Sequence, residues 1–74
     1  MDISVIRHGS GYVVYDSFGE PCASVERRPE GSQDEFLFRI YAGRGVEIGK
    51  CRTEAHLGHF IERGLRLWNP SIFK

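Results

Sequence analysis

The chain predicts an α+β fold: an antiparallel meander sheet of four to five strands, covered on one face by a single C-terminal helix. Three observations carry that expectation. Residues 2–50 break into short β-branched and aromatic runs separated by glycine-bearing turns. Residues 53–68 hold one apolar stripe of helical period. Consecutive strands joined by tight turns pair as neighbours, and an apolar sheet face needs a second layer to cover it.

The elements follow in order. Asp2–His8 is a short β-branched run and forms the first strand, with a turn at 9–11. Tyr12–Asp16 is the second strand, and "SFGEP" turns the chain at 17–21. Cys22–Arg28 returns, preceded by Pro21, whose missing donor costs least at a strand start. The polar stretch 29–34 holds Pro29 and Gly31 and reads as a loop. Glu35–Ala42, "EFLFRIYA", is rich in aromatics and free of breakers, and predicts the strongest strand. Residues 43–45, "GRG", turn into a return strand over Val46–Lys50. Thr53 is an N-cap type, and Glu54 puts negative charge where the helix dipole favours it. Leu57, Phe60, Ile61 and Leu65 then form one stripe. The favoured end is Arg63, with Gly64 left-handed and Leu65 folding back. The alternative buries Gly64 against the sheet and carries the helix to Trp68, ahead of the stop at Asn69–Pro70.

Three strands running into a helix is similar in order to the double-stranded-RNA-binding domain and to the arm-binding domains of phage integrases. The RNA-binding family's N-terminal helix has no counterpart here, and its lysine run at the last helix start is reduced to Lys50 and Arg52.

With 74 residues the chain makes one domain, 1–74, with little room for a deep cleft. It holds no apolar run of membrane-spanning length and no secretion signal. Cys22 and Cys51 are too few for a disulfide framework. They read as reduced thiols in a cytoplasmic protein, with a single bridge between neighbouring strands as the alternative. Net charge is zero but uneven. Residues 1–37 set three arginines against seven carboxylates, and residues 38–74 set seven cations against three carboxylates. Either the molecule is dipolar, or the two sets interleave on one surface and cancel.

Strand alternation places apolar groups on both sheet faces. If the helix covers Ile3, Val5, Phe36, Phe38 and Ile40, the opposite face keeps Ile6, Leu37, Tyr41 and either Val13 or Tyr15, with Arg39 among them. Such a face suits a protein partner or a homodimer, or bases stacked on aromatics. The bland alternative is that the tail "WNPSIFK" folds over it.

Candidate chemistry is thin. Cys51, His56 and His59 have the spacing of a partial metal set, but paired cysteines are lacking. The glycines of "GRGVEIG" miss the phosphate-loop pattern, because a strand-like segment intervenes. Ser10 near His8, with Asp16, lacks an oxyanion feature. No enzyme, metal or cofactor is therefore expected. The expectation is a small non-enzymatic protein-binding module: a phage- or mobile-element-encoded inhibitor of a host protein, of the anti-defence or anti-CRISPR type, acting by steric occlusion. Its expected partner-binding residues are Tyr15, Leu37, Arg39 and Tyr41 on the sheet, Glu30, Asp34 and Glu35 in the acidic loop, and Trp68 and Phe73 in the tail. The alternative is a nucleic-acid-binding domain using Arg39, Arg44, Lys50 and Arg52 around the last hairpin and the helix start.

Overall fold

The computed structural model describes residues 2–73. Five strands run in sequence: β1 (Ser4–His8), β2 (Gly11–Tyr15), β3 (Pro21–Arg27), β4 (Phe38–Ala42) and β5 (Val46–Cys51). A single 3₁₀ turn (Glu54–His56) leads into helix α1 (Leu57–Trp68), and a second 3₁₀ turn (Pro70–Phe73) follows. The strands form one antiparallel sheet in the order β1-β2-β3-β4-β5, so β1 and β5 are its edges. The predicted α+β architecture is what the chain adopts.

The register sorts the two faces. Tyr12, Val25, Ile40 and Gly49 stand in one row, and Arg27, Phe38 and Cys51 in the next, on the helix side. There Val14, Phe38 and Ile40 meet Ile61 and Leu65 of α1, and each of these five side chains is almost wholly excluded from solvent. The other face carries the rows Ile6–Val13–Ser24–Tyr41–Glu47 and Glu26–Arg39–Lys50. An irregularity where β4 faces Ile48 keeps both Glu47 and Lys50 on this second face, although three positions separate them.

The helix end differs from the favoured expectation. Helix α1 does not stop at Arg63, and Gly64 is helical rather than left-handed. A Cβ built on Gly64 would stand 2.6 Å from the Ile48 carbonyl oxygen, so only glycine lets the helix backbone approach β5 this closely. Closure comes later, where the Asn69 amide donates to the Leu65 carbonyl at 2.7 Å ahead of Pro70. Thr53 is extended and stands at the head of the 3₁₀ turn, but its side chain caps no backbone amide. Its Oγ1 instead lies 3.2 Å from His56 Nδ1.

The strongest predicted strand is shorter than expected. Pairing begins at Phe38, because the chain bends at Glu35 and again at Leu37. The Asp34 carboxylate accepts the Phe36 amide at 3.1 Å, a local turn that breaks the alternation. As a result the two apolar residues exchange roles. Leu37 packs against the core rather than on the uncovered face, and Phe36 leaves the core side for a cluster of cations. Val5, expected under the helix, lies on edge strand β1 and keeps 36% of its surface exposed.

The tail does not cover the second sheet face. Ile72 and Phe73 pack against the core cluster, on the helix side. Phe73 lies under Arg66, whose guanidinium carbon is 4.3 Å from the ring centre. Trp68 packs over Gly43, where a Cβ would stand 3.0 Å from the indole. With φ at 57°, Gly43 serves both the hairpin turn and the seat of that ring.

Candidate protein-binding surfaces

Among the described residues, neither helix nor tail covers the second face of the sheet, and only the β3–β4 loop reaches it, where Asp34 and Phe36 lie against Arg39. Ile6 is 53% exposed, while Val13, Tyr15 and Tyr41 are half-buried. A shallow depression lies between Val13, Cys22, Ser24, Tyr41 and the β4–β5 turn. Tyr15 and Tyr41 therefore stand on the face predicted for them, and Ile6 and Val13 join them through strand pairing. Of the other expected contacts, Leu37 is half-buried against the core, and Trp68 and Phe73 lie on the helix side.

The acidic loop and the basic set, expected to serve different partners, face each other. Arg39 Nε donates to Asp34 Oδ2 at 2.9 Å, and Arg39 Nη1 to Glu47 Oε1 at 2.9 Å. Arg52 reaches Glu35 at 3.2 Å. The Arg39 guanidinium and the Phe36 amide hold the Asp34 carboxyl below its ordinary pKa, and the two carboxylates raise that of Arg39. The two halves of the charge pattern thus interleave and cancel over this region. Glu30 stays exposed on the loop. Lys50, Arg44 and Arg63 have no carboxylate partner among the described residues.

Phe36 sits inside this network, with Lys50 Nζ at 4.6 Å, the Arg52 guanidinium carbon at 4.8 Å and that of Arg39 at 5.6 Å from its ring centre. The negative face of the ring draws cations together that would otherwise repel. Beside it an open groove of about 630 Å³ follows the β5 edge, bounded on its far side by His56, Phe60, Arg63 and Leu67 of the helical segment. Sequence reasoning missed this groove. The available signal was β5's place as the last strand, hence an edge, next to a helix carrying both Gly64 and the unpaired Arg63.

The residues weighed for chemistry do not assemble. His8 and Ser10 stand at one end of the β1–β2 hairpin and Asp16 at the other, roughly one strand length away. Asp16 is spent on its own turn, accepting the amides of Phe18 at 2.9 Å and Glu20 at 3.0 Å. Cys51 is buried on β5 and Cys22 half-buried on β3, both as free thiols on strands that are not neighbours. Desolvation raises the pKa of each. No group of three metal-ligating side chains occurs among the described residues. No helix there is long and apolar enough to cross a membrane.

No family model matches the chain, and neither curated proteins nor solved structures gave a match.

Proposed function

We propose that this is a non-enzymatic protein-binding module that engages its partner through the uncovered sheet face. One observation carries the reading: the row Ile6–Val13–Ser24–Tyr41 lies bare, while the tail that could have roofed it is folded on the other side. Solvated faces of antiparallel sheets are ordinarily polar. This one sets Ile6, Val13, Tyr15 and Tyr41 among the polar Ser24, Glu26, Arg39, Glu47 and Lys50, and tyrosine and arginine are the types enriched at binding hot spots. Strand spacing and rise give the five-stranded face a footprint of roughly 20 × 17 Å, so an interface of ordinary size extends past it onto the flanking loops. The module acts by occluding a surface of its target, and inhibition of a host protein is the extended form of this proposal.

The alternative of nucleic-acid binding has less support. Two of its four expected cations, Arg39 and Arg52, are already held by Asp34, Glu47 and Glu35. Releasing them would forfeit those pairs before any phosphate is gained.

The test is binding by face variants. Ile6→Glu, at an exposed edge position, is expected to leave the thermal midpoint near that of the wild type, and Tyr41→Glu, half-buried opposite Glu47, to lower it while the chain stays folded; both are expected to abolish partner capture. Capture unchanged by both would overturn the reading.

A further inference from the structure

We propose that the groove between β5 and α1 is a second docking site, one that takes an extended peptide segment alternating acidic and apolar side chains. This does not rest on the sheet-face reading, since it uses the β5 edge and the helix and meets the uncovered face only at Lys50.

Strand β5 has only β4 as a neighbour, so the backbone groups that point away from β4 have no strand partner. The usable stretch is short. At Ile48 the strand is bulged, and its carbonyl is turned against Gly64. The strand ends at Cys51, so the edge beside the groove is Gly49–Cys51, with the Phe60 carbonyl close to Gly49, and it offers room for only a short pairing with an added strand.

The groove is lined by Lys50, Arg52, Arg63 and His56, and not one carboxylate lines it. Of these, Lys50 and Arg63 carry no ion pair among the described residues, and both are exposed. The remaining lining, including Phe36, Phe60 and Leu67, is largely apolar, and Leu67 keeps 79% of its surface exposed.

Geometry then sorts the ligand's side chains. A strand added at β5 continues the pleat, so its successive residues alternate between faces. One set would face Lys50 on the uncovered side, where it shares a row with Arg39. The other would face Phe60 and Leu67 on the helix side. Carboxylates suit the first set and aliphatic groups the second.

Charge also argues against a second copy of the chain. A two-fold interface through this groove would set one set of cations against the same set on the other copy. A foreign acidic segment meets no such repulsion.

The experiment uses the full chain and a fluorescein-labelled eight-residue peptide of alternating glutamate and valine. Fluorescence polarisation should show saturable binding that weakens at least tenfold when glutamine replaces glutamate. The double variant Lys50→Glu/Arg63→Glu should lose binding by a similar factor, whereas Ile6→Glu on the sheet face should keep it. Amide chemical shifts of the unaltered protein should move in Gly49–Arg52 and along His56–Leu67, which guards against a variant that fails to fold. Equal affinity for the glutamine peptide, or shifts mapping elsewhere, would overturn the proposal. So would tighter binding of a labelled oligonucleotide at about 0.15 M salt, or a dimer that the double variant dissociates. Failure here leaves the sheet-face reading standing, because Ile6→Glu enters this test only as a control and no partner of the sheet face is assayed.

Discussion

Replacing Gly64 with alanine sets two physical effects against each other. In an exposed helix interior, glycine to alanine stabilises by about 0.8–1 kcal/mol through backbone entropy. Here the new Cβ would stand 2.6 Å from the Ile48 carbonyl oxygen and 3.3 Å from the Ile48 Cδ1. Ordinary contact begins near 3.4 Å, so α1 and β5 must separate by about 0.8 Å, or the helix must slide. Overpacking of this kind costs about 1–3 kcal/mol. The clash wins by about 1 kcal/mol, which lowers Tm by roughly 4–8 °C in a domain of this size. Gly58 supplies the control. It lies in the first turn of the same helix, and a Cβ there meets nothing within 4 Å. Gly58→Ala should therefore stabilise, by a few tenths to about 1 kcal/mol. Paired thermal and urea denaturation of the two variants reads the sign directly. A Gly64→Ala protein as stable as the wild type would refute the close approach of helix and strand, and with it the position assigned to α1.

Leu65→Ala empties the centre of the core, where Leu65 is wholly buried against the sheet, and should cost about 2–5 kcal/mol by urea denaturation. Asp34 makes an acid-dependent contribution. Its folded-state pKa lies below the unfolded value, so its stabilisation is present above about pH 4 and is lost as pH falls through the folded value. Comparing wild type with Asp34→Asn between about pH 5 and pH 2 should show the difference between the two proteins shrinking as the solution is acidified; a constant difference would contradict the Asp34–Arg39 pair. Tyr12 donates to Glu54 at 2.8 Å, which raises its phenol pKa and ties β2 to the start of the helical segment. In a titration followed by tyrosinate absorbance, Glu54→Gln should bring one of the three tyrosines down in pH.

The meander was legible because its signals are local. Each hairpin carries its own turn residues, and the runs Tyr12–Tyr15 and Phe38–Ala42 have no competing helical period. The roof was legible from Leu57, Ile61 and Leu65, whose spacing survives in the core. What escaped depends on contacts between distant segments. Gly64 reads first as a helix stop, with burial against the sheet as the alternative, and Ile48 pressed against it decides for the alternative. The exchange of Phe36 and Leu37 hangs on an Asp34 side-chain bond that strand alternation does not register. The acidic loop and the basic hairpin looked like sites for different partners because their separation in sequence hid the Arg39–Asp34 and Arg52–Glu35 pairs.

The central proposal is that the bare sheet face binds a protein. It is tested most directly by parallel capture from cell lysate on wild-type protein, Tyr41→Glu, Ile6→Glu and, as a helix-side control, Arg63→Glu, each verified as folded by its melting curve. The account predicts a reproducible protein retained by the wild type and by the Arg63 variant and lost from both face variants. Recovery of no reproducible partner, or equal recovery on all four proteins, would contradict it.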